Sequence, residues 1–243
     1  MRSIRLYSDQ PLEVGEVVEL ETTPARHLVR VLRRRVDDPV VLFNGDGCEY
    51  SGRILSIEGK DRCSVELDSV EEPKVESPLA ITLVQAIARG ERMDYAIQKA
   101  VELGVSAIRP VFSERCEVRL NQKRITTRLA HWRQVAISAC EQSGRVQVPE
   151  IHSPVNLDGL DPEIALNLYL DPDAELTPGR MNIPDPPRLT LVIGPEGGLS
   201  DDEMAALNRA GFIGLRLGPR ILRTETAGAA AIATLQTRFG DWQ

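Results

Sequence analysis

Residues 191–204 read LVIGPEGGLSDDEM, and residues 217–227 read LGPRILRTETA. In each, an apolar run breaks at glycine and proline and gives way to a helix signal. In the first, a run of strand formers closes at Ile193, and the chain turns through Gly194, Pro195, Glu196, Gly197 and Gly198. Ser200 with Glu203 three positions on forms a capping box, and Asp201 and Asp202 occupy the first turn, where carboxylates suit the helix dipole. In the second, Leu217 ends a strand and Gly218-Pro219 breaks it. Thr224 and Thr226 then offer cap hydroxyls to a last helix of small residues, AGAAAIATLQ. Strand, glycine loop, helix, repeated, predicts a parallel α/β sheet whose ligands gather beyond the carboxyl ends of its strands.

The same alternation extends backwards. LAITLVQAI (79–87) reads as a buried strand, and RMDYAIQKAVELG (92–104) as a helix stopped by Gly104. SAIRPVF follows as a strand, then a helix from about Ile125 to Gln142, then a strand in LNLYLD (166–171). RLTLVIG and FIGLRL complete the strands, and residues 225–238 form the last helix. Residues 1–72 follow another rhythm. Short alternating runs such as PVVLFNG and EYSGRILSI, separated by Gly, Asp and Pro, predict a small β-barrel, interrupted by one short helix in ARHLVRVLRR. The charged stretch 73–78, bounded by Pro73 and Pro78, reads as a linker to a second domain, 79–243.

At 243 residues, 42% hydrophobic and 27% charged, the chain has ample material for a core. It contains no apolar run long enough for a membrane span and no apolar leader, and its four scattered cysteines form no Cys-x-x-Cys pair. The expectation is a cytoplasmic protein without a structural metal. The net charge of −7 conceals segregation: residues 26–35, RHLVRVLRRR, hold five arginines and no acid, whereas residues 153–179 hold six acids and no Lys or Arg. Residues 115–133 carry six basic side chains against Glu117. Such stretches are either solvated helix faces or local positive fields for phosphates.

Neither loop is a phosphate cradle of ordinary type. The chain has no Gly-Lys-Ser/Thr loop and no Gly-x-Gly-x-x-Gly fingerprint, and the acids after Ser200 already fill the anion site of that helix. A glycine loop alone is either a tight turn or a ligand site. A simple cap explains the threonines of the second loop but leaves Arg220 and Arg223 unexplained.

Taken in order, GPEGGLS and LGPRILRTETA, with HLVRVLRR, MDYAIQKAVELGV, FSERC and the run from HWRQVAISACEQSGR to VPEI, resemble the RsmE family of SPOUT-class RNA methyltransferases. The likeness covers nearly the whole chain, with 154–187 least distinctive. It implies a PUA-like β-barrel followed by an α/β methyltransferase domain whose C-terminal stretch threads a trefoil knot. Gly228 and Ala229 to Ala231 would there pack against crossing backbone. It also implies a homodimer, and S-adenosyl-L-methionine held by Leu170, Ile193, Gly194, Glu196, Gly197, Leu217, Gly218, Leu222 and Arg223. The substrate implied is N3 of a uridine in the decoding region of 16S rRNA, in the small ribosomal subunit.

N3 of uracil bears a proton at neutral pH and lies on the pairing edge, so methylation needs the base unpaired and the proton removed or the anion stabilised. His27, His131 and His152 lie outside both loops. Glu196 and Glu225 are therefore the candidate bases, with Arg223 or Arg220 to stabilise the anion. An ion pair that shapes its loop is the competing reading of Glu196. Arg26, Arg30, Arg33, Arg34 and Arg35, with Arg115, Lys123, Arg124, Arg128 and Arg220, are the candidate RNA contacts. The other functions compatible with this pattern are a SPOUT enzyme acting on tRNA and a non-catalytic RNA-binding assembly factor.

Overall fold

The computed structural model describes residues 4–118, 120–160, 162 and 166–242. The chain divides into two compact units, Met1–Glu76 with Cys140–Val148, and Ser77–Ala139 with Pro149–Gln243.

In the first unit, strands β1 (Ile4–Tyr7), β2 (Val17–Glu19), β3 (Pro39–Phe43), β4 (Glu49–Glu58) and β5 (Arg62–Glu71) form one mixed sheet in the order β1-β3-β4-β5-β2. β1 and β3 run parallel, and the other pairs antiparallel. Two irregularities in the β4–β5 register, after Ser51 and after Ile54, give the local twist that curls a small sheet around its core. A side chain at Gly52 would collide with the carbonyl oxygen of Glu66, so only glycine permits that approach. Leu6, Leu28, Leu42, Ile54, Val65 and Leu67 fill the interior.

The short helix expected in ARHLVRVLRR begins earlier and changes pitch. Helix α1 (Thr22–Arg26) runs into a π-helical turn, His27–Val31, in which the Leu32 amide donates to the His27 carbonyl at 3.0 Å. The wider turn turns Leu28 inward while leaving Arg26, Arg30, Arg33 and Arg35 exposed.

The second unit holds β6 (Ala80–Ala86), α2 (Glu91–Glu102), β7 (Ala107–Phe112), α3 (Gln122–Ser143), β8 (Glu150–Ile151), β9 (Val155–Asn156), β10 (Leu166–Leu170), β11 (Arg188–Ile193), α4 (Asp201–Arg209), β12 (Ile213–Leu215) and α5 (Thr224–Phe239). Its strands are all parallel, in the order β12-β10-β11-β6-β7-β8, with β9 also on β7. The two central strands are apolar almost throughout, as burial on both faces demands. α2 buries Met93, Ala96, Ile97, Ala100 and Val101, a single helical stripe, and Gly104 leaves it at φ +86°.

The chain builds outward from β6 to β7 and β8, then crosses back to place β10, β11 and β12 on the other side. The order reverses between β6 and β11. In an open parallel sheet that reversal leaves a crevice at the carboxyl ends of the strands.

Helix α3 starts three residues before the expected point, at Gln122, and its last turn belongs to the first unit. Periodicity assigns 140–148 to the second domain; the polar contacts show why it clusters with the first. Arg5 donates to the carbonyls of Cys140 at 2.7 Å and Arg145 at 2.9 Å and pairs with Glu49, while Arg145 pairs with Glu76 at 2.6 Å. The Arg5 and Arg145 side chains are nearly buried, and a desolvated guanidinium requires such partners.

Candidate functional site

Three strands end at one cavity. Leu170 leaves β10, Ile193 closes β11 and Leu215 closes β12, and the loops that follow them enclose about 570 Å³. That volume lies in the range of small-molecule and cofactor pockets, roughly 300–1,000 Å³. Leu170, Ile193, Leu217 and Leu222 supply apolar walls, and Gly194 and Gly218 bring bare backbone to the edge. Gly218 sits at φ +139°, a conformation glycine adopts without strain. Around this lining stand Asp171, Glu196 and Glu225 as carboxylates and Arg92, Arg220 and Arg223 as cations.

The first glycine loop is held from two sides. The Gly198 amide donates to the Pro195 carbonyl at 2.9 Å, closing a tight turn with Gly198 at φ +73°. Arg115, from the end of β7, donates to the carbonyls of Gly197 at 3.0 Å and Leu199 at 3.3 Å. A side chain on Gly197 would meet Cβ of Arg115 at 3.2 Å, so this glycine accommodates the arginine and does not line the cavity. Arg92, at the start of α2, pairs with Glu196 at 2.9 Å. Burial pushes the Glu196 carboxyl upward, but its own backbone amide, the Arg92 guanidinium and the Arg89 amide together hold it below the ordinary value of 4.5. Glu196 is thus an ionised, paired carboxylate and a weak base.

Helix α4 is anchored as its sequence predicts, and further. Ser200 accepts from the Glu203 amide, and the Glu203 carboxylate accepts from Ser200, completing the capping box. The same carboxylate also accepts from the Glu114 amide at 2.9 Å and the Ser113 hydroxyl at 3.2 Å. It therefore ties the β7 loop to the β11 loop.

Neither threonine of the second loop is the cap that its sequence suggests, and Thr224 has another role. Arg223 is the N-cap of α5 and makes no side-chain cap bond. Thr224 instead donates to the Gly194 carbonyl at 2.7 Å and accepts from Nε2 of Gln85, which also donates to the Ala86 carbonyl. Gln85 is fully buried at the end of β6, and its Oε1 has no partner among the described residues. This short chain of hydrogen bonds fixes the end of β6, the first glycine loop and the start of α5 relative to one another.

Gly228 in α5 faces side chains, not crossing backbone: a Cβ there would lie 3.6 Å from Oε1 of Gln85 and 3.7 Å from Cγ1 of Ile193. Small residues let α5 lie close to β6 and β11.

Of the residues expected to bind cofactor, Leu170, Ile193, Gly194, Glu196, Leu217, Gly218, Leu222 and Arg223 line the cavity; Gly197 alone does not. Glu225 lines it too, with a buried Oε2 that has no hydrogen-bond partner among the described residues. Arg92 and Asp171 belong to the same lining and escaped sequence reading, because no glycine signature marks their positions, and Thr224, read in the sequence only as a cap, lines it too. The RNA candidates lie apart. Arg26, Arg30, Arg33 and Arg35 are exposed on the first unit, and Arg34 is half-buried, 3.9 Å from Asp38. Lys123, Arg124 and Arg128 are exposed on α3, and Arg220 is exposed at the cavity rim. Arg115 is committed to the first glycine loop, as described above.

Comparison with known proteins follows the same division. Residues 75–236 match the family described as RNA methyltransferase domain, and residues 24–68 match the RNA methyltransferase PUA domain. The ribosomal RNA small subunit methyltransferase E of Buchnera aphidicola subsp. Schizaphis graminum is 35% identical, over 98% of this chain and 97% of its own. A putative methyltransferase from Legionella pneumophila, solved with bound SAM, superposes with a TM-score of 0.95 at 40% identity, covering 99% of this chain and 100% of that one. The ribosomal RNA small subunit methyltransferase E of Neisseria gonorrhoeae, bound to S-adenosyl methionine, gives a TM-score of 0.92 at 41% identity, with 100% of each chain covered.

Proposed function

This chain belongs to the RsmE family of RNA methyltransferases, and from that premise we propose that it methylates N3 of a uridine in the decoding region of 16S rRNA, using S-adenosyl-L-methionine. The observation that carries the reading is the cavity at the ends of β10, β11 and β12, in which apolar walls and bare glycine backbone meet opposed carboxylates and guanidiniums. Such a lining suits a nucleoside that carries a sulfonium, an ammonium and a carboxylate. When bound, that group supplies an electrophilic methyl carbon and a neutral thioether leaving group.

The chain's own residues supply the rest. Leu170, Ile193, Leu217 and Leu222 exclude water from the reacting centre, which strengthens every charge interaction inside. The backbone of Gly194 and Gly218 offers hydrogen bonds at close approach. Glu225, with its buried and unpartnered Oε2, is the carboxylate we assign to take the N3 proton. Glu196 lines the same cavity, but its pairing with Arg92 makes it the poorer base and suits it to shaping its loop. Arg223 stabilises the uracil anion that forms as the proton leaves, and Arg220 meets adjacent phosphate. Alignment of the two reactants supplies a further share of the rate. The arginines of the first unit and the basic face of α3 position the RNA through its phosphates.

The threading of the chain end into a trefoil, and a homodimer, belong to this same reading. In support, the segment after the edge strand β12 passes the cavity and returns as α5 over β6 and β11.

The test is labelled methyl transfer into small ribosomal subunits, followed by reverse transcription. N3 methylation blocks pairing, so the polymerase stops one residue before the modified uridine. Label entering only tRNA, or no stop at a uridine, rejects the assignment. Glu225→Gln is expected to lower kcat by about 10²–10⁴, the usual worth of a positioned base, with S-adenosylmethionine binding retained.

A further inference from the structure

Ile221 is the most exposed large hydrophobic residue among those described, at 87% of its free surface. It stands on the rim of the cavity, between Arg220 and Leu222–Arg223. An isoleucine left in water forgoes the free energy that burial of its apolar surface would return, so its place at a functional rim calls for an explanation. No residue from Leu217 to Leu222 hydrogen-bonds another described residue, so the loop is free to adapt. Arg220 and Arg223 make no ion pair among the described residues, so the exposed isoleucine stands in the chain between two unpaired guanidiniums.

An apolar tip flanked by free cations is complementary to one kind of surface: a charged backbone with an apolar stack inside it. We propose that Ile221 is a wedge that enters the base stack of the RNA as the target uridine leaves it, while Arg220 holds a flanking phosphate and Arg223 faces the extruded base. The proposal rests on the uridine-N3 reading above. An attack on N3 requires the pairing edge to be free, and extruding a base opens a gap that water fills poorly. Apolar side chains stabilise unstacked steps in duplexes by occupying that gap. Ile221 lies beside Leu222 and Arg223, so the gap it fills borders the cavity that receives the extruded base. It is a positioning residue and touches no reacting atom.

The test uses the full chain and two rRNA fragments. In one the target uridine is stacked within a stem; in the other it is already bulged and unstacked. Each carries 2-aminopurine beside the target, which brightens when stacking is lost. The wild-type protein should brighten the stem RNA, and Ile221→Ala should not. Ile221→Ala should also lose at least about tenfold in kcat on the stem, given the few kcal/mol that unstacking costs, and stay within about twofold of wild type on the bulged RNA. Ile221→Phe should retain the stem activity. S-adenosylmethionine affinity should be the same in all three proteins.

Equal losses on both RNAs, or weakened S-adenosylmethionine binding, overturn the proposal by placing Ile221 in the cofactor cavity. Unchanged activity on both overturns it outright. A shift of Ile221→Ala to a smaller species in sedimentation overturns it in favour of a contact between copies of the chain. Wild-type protein that methylates neither RNA sinks the substrate reading itself, a result separable from all of these.

Discussion

Thr224 shows how one hydroxyl can set two loops. It bridges the Gly194 carbonyl and the buried Gln85 amide, so replacing it strips partners from both. Thr224→Val keeps the shape and removes the hydrogen bonds, leaving a buried amide short of an acceptor at about 1–3 kcal/mol. The expected outcome in calorimetry is roughly tenfold weaker S-adenosylmethionine binding, with Thr224→Ser close to wild type. Glu196 gives a pH signature. Its folded pKa lies below the ordinary value, so its pairing with Arg92 adds stability that is fully present above about pH 4.5. That stability is lost as pH falls through the lower folded value. The pair is partly exposed and screened, so wild type should exceed Glu196→Gln by about 0.2–1 kcal/mol near neutrality. Urea unfolding at pH 7 and at acid pH should show the gap closing in acid. A gap that widens in acid would contradict the pairing. In the sequence, both threonines after the second loop look like caps. Neither the Gln85 partner nor the Arg92 pair is legible, because each joins residues more than a hundred positions apart.

Helix α4 and its loop show what local pattern can reveal. The Ser200–Glu203 box is written in four residues and is present as read. Local pattern cannot show that Glu203 also accepts from Ser113 and Glu114, since β7 and β11 approach only once β6 lies between them. Ser200→Ala should therefore cost about 1 kcal/mol, the usual worth of a cap. Glu203→Ala should cost more, because it orphans the Glu114 amide as well. Comparable denaturation midpoints for the two variants would rule out that second role. The alternation of strands and helices was legible because buried parallel strands are continuous apolar runs. The change of pitch at His27–Val31 was not, because π and α turns share the same apolar spacing to within one residue.

Across the molecule, charge is divided between units. Arg26, Arg30 and Arg35 are exposed on the first, and the α3 set on the second, on a chain of net charge −7. If the first set meets phosphates, converting Arg26, Arg30 and Arg35 to Gln should flatten the slope of log affinity for rRNA against log salt by about 2 to 3. An unchanged slope in filter binding would discharge that surface from the role. Sequence reading divides the chain by contrasting rhythms into 1–72 and 79–243, with a linker at 73–78. It missed the return of 140–148, because the lock is made by Arg5 and Arg145 reaching carbonyls and carboxylates, and no periodicity encodes a partner.

That lock also governs timing. As translation delivers the nascent chain from its amino end, Arg5 and Glu76 emerge long before the backbone that satisfies them, which comes only with Cys140 to Val146. The first unit must wait, incompletely closed, until most of the long helix of the second has been made. Its maturation is thereby chained to that of its neighbour, and a gene cut at the border would yield an early half that never receives its latch.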